Sequence, residues 1–386
     1  NFDNNARMKQ VFEGDLDIER LVLAISAETG VSIEAENTLI IFDEIQEVPK
    51  ALTSLKYFHE NAPQYAIVAA GSLLGVALHQ GTSFPVGKVD FLDLYPLNFR
   101  EFLCAMGEKQ FVSMLDSCDT QMVTVFKTKY IERLREYYFV GGMPEVVKDF
   151  SEKKDYNRVR VIQKNLINYY QQDFSKHAEI KLVPRLNLVW NSIPMQLAKE
   201  NKKYIYGQVR EGSRAKDFEL AIQWLLDCGL IHKVQRIQKP DLPLKAYIDF
   251  DAFKLFLVDI GLLIAMTDLD AKVIIEGNKI FTEFNGSLTE QYILQQLISD
   301  VGVIPYYYST QNSKGEIDFL VQGKTSVIPI EVRAEENLKA KSLKAFCEKY
   351  QPSYAVRTSM SDYREQDWMT NIPLYAIKWI ENYVNQ

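Results

Sequence analysis

The run Thr38-Leu39-Ile40-Ile41-Phe42-Asp43-Glu44 constrains this chain more than any other. Four consecutive apolar residues end in two adjacent carboxylates, and Ile45-Gln46-Glu47-Val48-Pro49 follows. A short apolar run of this kind reads as a buried strand. A helical stretch, Asp15 to Thr29, precedes it, and another, about Lys50 to Glu60, follows. Tyr65-Ala66-Ile67-Val68-Ala69-Ala70 reads as a second buried strand, ending at Gly71-Ser72. Short apolar strands alternating with helices imply a parallel sheet covered on both faces. Working groups in such sheets collect at the carboxyl ends of the strands. Asp43, Glu44 and Ser72 all fall there.

A strand that delivers two carboxylates is the Walker B arrangement of nucleotide hydrolases. Asp43 would lie close to metal-bound water at an Mg²⁺ site, and Glu44 would orient the attacking water near the γ-phosphate. Ser72 would be the polar sensor on the neighbouring strand. The bland alternatives are a strand ending in acids at the solvent edge and a turn-forming Gly-Ser pair. The phosphate cradle of such an enzyme, a G-x-x-x-x-G-K-S/T loop, is nowhere in the 386 residues. Gly87-Lys88 is followed by Val89 and lacks the upstream glycine. No carboxylate pair replaces a ring of backbone N–H groups and one lysine. Either the loop lies upstream of Asn1, or the chain does not hydrolyse ATP. The opening Asn1-Phe2-Asp3, without Met, points to residues upstream. Arg100 reads as a surface or helix-start residue in an ion pair rather than a phosphate ligand.

The length suggests two or three domains, each large enough for a core. With 21 Tyr and 21 Phe, well-packed cores are expected. A net charge of -7 argues against wholesale wrapping of nucleic acid. The four cysteines (Cys104, Cys118, Cys228, Cys347) form no C-x-x-C pair, which fits a reducing cytoplasm. No apolar run is long enough to span a bilayer.

Residues 106–200 read as mostly helical: Met122–Tyr138, Asp155–Phe174 and Pro184–Glu200. Phe139-Val140-Gly141-Gly142-Met143-Pro144 is a turn by composition, with Pro144 suited to open a helix. Residues 201–250 look like a winged-helix unit: a helix from Lys216 to Cys228, Gly229 as its terminator, and a strand Ile231 to Ile237. Residues 251–386 return to α/β, with strands at 254–259, 303–308, 317–321, 327–332, 353–356 and 374–376, and helices at 287–299 and 338–350.

A second constellation lies near the carboxyl end. Asp318 and Glu331 stand 13 residues apart on two candidate strands joined by the turn Gly323-Lys324-Thr325. Glu331 and Arg333 share a strand face, since the side-chain period is two. An Asp…Glu-x-Lys arrangement is a metal-dependent nuclease core, with carboxylates on Mg²⁺ and Lys positioning the water. Glu290 on the preceding helix would be a third acid. Arg333 stands at the Lys position. It stays protonated and is a poor replacement in water activation, which favours an inactive scaffold. Between 201 and 216, Lys202, Lys203, Arg210, Arg214 and Lys216 face one acid, Glu211. They are candidates for DNA phosphates, or for a solvated face or domain contact.

Several segments together resemble bacterial and archaeal AAA-type ATPases with a carboxyl-terminal domain of unknown function. They are Leu39–Pro49, Ala70-Gly71-Ser72, Leu94–Phe102, Gly141–Glu145, Ile193–Ala198, Trp224–Ile231, Lys254–Leu262 and Gly315–Arg333. The likeness spans nearly the whole chain in the family's order. It implies an α/β fold in four parts. Residues 1–105 would form a partial P-loop ATPase parallel sheet, incomplete at its amino end, and 106–200 a helical region. Residues 201–250 would form a winged-helix-like unit, and 251–386 a restriction-endonuclease-like α/β domain. It implies ATP and Mg²⁺ as ligands, with Asp43 the Mg²⁺-linked acid, Glu44 the catalytic acid and Ser72 the sensor. The function expected is ATP hydrolysis driving a conformational change on DNA or a partner protein, with oligomers open. A metal-dependent nuclease-like module and a catalytically inactive interaction scaffold are the alternatives.

Overall fold

Asp17 caps the helix Ile18–Thr29 by accepting the Arg20 backbone N–H at 2.9 Å, and Gly30 ends it in the left-handed region at φ 69°. Pro49 opens the helix Pro49–Asn61, where its missing N–H costs nothing. Between these helices runs β1 (Leu39–Phe42), and after them β2 (Ala66–Ala69). The two strands pair in parallel, Leu39 opposite Ala66 through Phe42 opposite Ala69. The structure, a computed structural model, describes residues 1–71, 87–199, 202–275, 282–310, 315–334 and 340–386, with the backbone alone for 282–285. These divide into two units, Asn1–Leu94 with Gln223–Leu230, and Tyr95–Ile222 with Ile231–Gln386.

The core of the first unit is aromatic. Phe12 meets Phe2 edge-on at 5.4 Å and Phe42 at 5.6 Å, and Phe42 meets Phe58 at 6.2 Å. Each buried ring contributes roughly 1.5–3 kcal/mol. Among the described residues, one face of β1 is buried and the other exposed. Ile40 and Phe42 are about 5% and 4% exposed, whereas Leu39 and Ile41 are 54% and 59% exposed. Side chains alternate along a strand, so a four-residue apolar run puts two of them on the open face. Coverage of both faces, expected from the sequence, is met on one face of β1.

In the second unit the expected helix Met122–Tyr138 is two helices, Thr120–Val125 and Lys127–Val140, broken at Phe126. The next are Tyr156–His177 and Val183–Leu197. The turn at Gly141 is observed, with φ 74°, and Pro144 opens the helix Pro144–Lys153. A Cβ on Gly142 would lie 2.1 Å from the Leu97 carbonyl oxygen, so only glycine fits.

Eight strands form one mixed sheet in this unit. They are β3 (Ile231–Ile237), β4 (Ile248–Leu257), β5 (Tyr306–Ser309), β6 (Glu316–Gln322), β7 (Val327–Val332), β8 (Val356–Ser359), β9 (Arg364–Gln366) and β10 (Met369–Pro373). Their order is β4-β3-β5-β6-β7-β8-β10-β9. The β3–β4 hairpin, read from the sequence as part of a unit at 201–250, is an edge of this sheet. β3 pairs β5 in parallel through Arg236 and Ile237, and β4 runs through the boundary drawn at 250. Ile237 packs with Tyr306, Ile317 and Leu320, and that shared core is what joins the hairpin to the later strands. Leu374–Ala376, expected as a strand, opens the 3-10 helix Leu374–Ile380. The strand lies just before it and stops at Pro373, which has no N–H for the ladder.

Candidate functional site

At the end of β1 the chain turns sharply. Glu44 takes φ 54° and ψ 46°, one 3-10 turn spans Ile45–Glu47, and the helix from Pro49 follows. A left-handed conformation at a non-glycine residue costs about 1–2 kcal/mol and concentrates at working sites. Main-chain bonds continue past the strand ends. The Ala70 N–H donates to the Phe42 carbonyl at 2.8 Å, and the Ile45 N–H donates to the Ala70 carbonyl at 3.1 Å. Asp43 and Glu44 therefore sit at the carboxyl end of the β1–β2 pair, both half-buried. Asn1 Nδ2 donates to Asp43 Oδ2 at 2.7 Å, and Gln46 Nε2 donates to Glu44 Oε2. Ser72 lies outside the described residues.

Partly solvated carboxylates are hard oxygen donors of the kind Mg²⁺ takes one or two of, the rest of its shell being water and phosphate oxygens. Asp43 fits that role by chemistry. Among the described residues no group of three or more His, Cys, Asp or Glu side chains could hold a metal ion.

The carboxyl-terminal acids have different surroundings. Asp318 and Glu331 lie at adjoining ends of β6 and β7, where the ladder stops at Phe319 opposite Ile330. Asp318 Oδ2 accepts the Val332 N–H at 2.7 Å, in place of a ladder bond. Glu331 is taken up by the Arg333 guanidinium and by the Leu343 N–H at 3.3 Å. Asp318 turns instead to Glu290, with which it shares a side-chain hydrogen bond.

Two lysines complete this second cluster. Lys254 on β4 is 1% exposed, and its Nζ lies 2.5 Å from Glu316 Oε1 and 3.6 Å from Glu290 Oε2. Lys202 pairs with Glu290 Oε1. Burial alone would raise the Glu290 pKa, but Lys202 and Lys254 outweigh it and hold the carboxyl below its usual range. Burial and the neighbouring Glu290 push Asp318 up to about 8 against the pull of the lysines. A hydrogen bond between two carboxyls needs a proton on one of them, and the opposite shifts put it on Asp318. Sequence reasoning missed Lys254 as a site residue. The signal was a lone cation in the apolar strand Lys254-Leu255-Phe256-Leu257, since a buried lysine requires partners.

The other sequence candidates separate by exposure. Lys202 is consumed by Glu290 and Lys203 is half-buried, whereas Arg210, Arg214 and Lys216 are exposed. The Arg214 N–H donates to Asp217 Oδ2 at 2.8 Å where the helix Ala215–Asp227 begins. Arg100, in the helix Phe99–Ala105, pairs with Asp300 at 2.9 Å and with Asp116, the ion pair expected of it.

Comparison with known proteins places these features. Residues 1–103 match the AAA domain family, residues 131–273 a domain of unknown function (DUF8612), and residues 285–377 another (DUF4143). No curated protein matches the sequence. Among solved structures, a Walker-type ATPase of Pyrococcus abyssi aligns at 14% identity over 66% of this chain and 68% of its own, with a TM-score of 0.40. A Vibrio cholerae protein aligns at 11% identity over 96% and 80%, with a TM-score of 0.19. No helix among the described residues is long and apolar enough to cross a membrane. The chain is therefore similar to an AAA domain over residues 1–103, the stretch that carries β1, β2 and the Asp43–Glu44 pair.

Proposed function

We propose that this chain carries part of the catalytic site of an AAA-type ATPase that hydrolyses ATP with Mg²⁺ to drive a conformational change. The supporting observation is the Asp43–Glu44 pair at the carboxyl end of a strand parallel to β2. Asp43 would serve the Mg²⁺ shell and Glu44 the attacking water. Mg²⁺, held in part by Asp43, would supply positive charge against the phosphate. Ser72, two residues beyond Ala70, remains the proposed sensor. The test is ATP binding and turnover by the full natural protein and by its Glu44→Gln variant. The variant is expected to keep nucleotide affinity and lose turnover by at least about 100-fold. Equal turnover in the two proteins overturns this reading.

A second reading concerns the larger unit: a nuclease-like scaffold that binds DNA without cutting it. It is favoured by the neutralisation of Glu290 by Lys202 and Lys254, and by the pairing of Glu331 with Arg333. Two amino groups already supply the charge a divalent ion would supply there. Plasmid incubated with Mg²⁺ or Mn²⁺ is expected to stay intact and to be retained by the protein at low salt. Nicking would restore the nuclease reading, and intact plasmid without retention would leave only a protein-interaction scaffold.

A further inference from the structure

Gln46 occupies an unusual place beside the strand-end acids. The backbone at Glu44 is held in the left-handed region, and the 3-10 turn Ile45–Glu47 closes with the Glu47 N–H on the Glu44 carbonyl at 3.0 Å. This turn folds the side chain two positions on back over the strand end. There Gln46 Nε2 donates to Glu44 Oε2, a charge-assisted bond within one short segment. Ile45, fully buried, anchors the turn, and its N–H is tied to Ala70 on the far side of the strand pair. The other amide atom, Gln46 Oε1, is buried and accepts no hydrogen bond among the described residues.

A structural glutamine in a three-residue turn would be expected to use its side chain to satisfy the turn. This one leaves a buried acceptor without a donor while it spends its N–H on a carboxylate. Leaving such an acceptor unmet costs free energy. Strain at Glu44 and an unmet acceptor at Gln46 are tolerated in one four-residue stretch, the pattern expected where geometry serves chemistry. A carboxylate that must aim at a water needs one oxygen fixed so that the plane of the group is set. An amide fixes it without a charge and without competing for the proton.

Resting on the ATPase reading above, we infer that Gln46 is a positioning residue for Glu44: its side-chain amide sets the plane of the Glu44 carboxylate for the attacking water. Asp43 Oδ2 is met by Asn1 instead. Gln46 touches neither nucleotide nor metal in this role, so its loss should fall on kcat and spare nucleotide affinity.

The test compares wild type with Gln46→Met, which keeps the length and removes the donor, and Gln46→His, whose imidazole, neutral at pH 8, restores an uncharged N–H donor. Measured on the full natural protein are kcat, KM for ATP, equilibrium binding of ATP by calorimetry, and the thermal midpoint. Gln46→Met is expected to lower kcat about 10- to 100-fold, with ATP affinity within about twofold and an unchanged midpoint. Gln46→His is expected to recover part of that loss. Wild-type kcat in Gln46→Met overturns the inference. So does a loss that Gln46→His does not recover at all, or one that follows a lowered midpoint or a raised KM, as a merely structural glutamine would give. Glu44→Gln run in parallel separates the two claims. If it turns over ATP like wild type, the ATPase reading itself fails. If it is dead while Gln46→Met is normal, only the role of Gln46 fails.

Discussion

The Gly142 backbone N–H donates to Asp259 Oδ1 at 2.6 Å, joining positions 117 residues apart in a fully buried site. The same carboxylate accepts the Leu262 N–H at 3.0 Å and Gln295 Nε2 at 3.2 Å. Burial pushes the Asp259 carboxyl up, and the converging N–H donors pull it back only in part. Gly141–Glu145 and Lys254–Leu262, which the sequence marks as separate motifs, are two sides of one clasp.

Gly142→Ala should therefore destabilise the protein by about 3 kcal/mol in urea denaturation, because its Cβ would lie 2.1 Å from the Leu97 carbonyl oxygen. Gly207→Ala is the control. Nothing lies within 4 Å of its Cβ, and its stability should stay within about 0.5 kcal/mol of wild type. An unchanged urea midpoint for Gly142→Ala would refute the tight approach at this turn.

Lys254→Met removes a buried cation from among Glu290, Glu316 and Asp318. An expected loss of about 3–5 kcal/mol follows from leaving buried acids uncompensated. Adding Glu290→Gln should recover part of the loss, so a double-mutant cycle should show coupling above about 1 kcal/mol. Strict additivity would mean that the two groups do not sense each other.

His232 on β3 has its pKa pushed down to about 4 by burial. The unfolded chain takes up a proton near pH 6.5, which the folded chain refuses until about pH 4. Stability should therefore be level above about pH 6.5 and fall by about 3 kcal/mol as pH drops toward 4. His232→Gln should flatten that limb of the stability–pH curve. A slope that survives the substitution belongs to other groups.

Arg210, Arg214 and Lys216 are exposed, so reversing all three to Glu should leave the thermal midpoint within a few degrees of wild type. If this face meets DNA phosphates, the slope of log affinity against log salt should shrink by about three. Retention with an unaltered slope would assign the DNA contact to another surface.

Much of the fold was legible because its signals are local. The apolar run ending in Asp43–Glu44 gave β1 and its carboxylates, and Ile231–Ile237 and Val327–Val332 appear as strands with the expected bounds. The failures are matters of long-range pairing. Nothing between 201 and 250 signals that β3 pairs with Tyr307 and Tyr308, some seventy residues later. Asp318 and Glu331 were brought together by the pairing of two strands joined at the turn Gly323-Lys324-Thr325. The backbone of Val332 and the helix bearing Glu290 draw Asp318 one way, and Leu343 and Arg333 draw Glu331 another. Lys254 was read as part of a strand and not as a charge, although its strand has no other cation to explain.

The parallel contact of β3 with β5 sets how this chain tolerates being cut. A fragment beginning at 285, where the DUF4143 match starts, would keep β5 to β10 and lose β3 and β4. Tyr306–Ser309 would then offer an open row of backbone donors and acceptors, flanked by apolar side chains that Ile237 now covers. Bare edges of that kind recruit other chains. Such a fragment would come out of solution as aggregates, while one begun before Ile231 would keep its edge sealed.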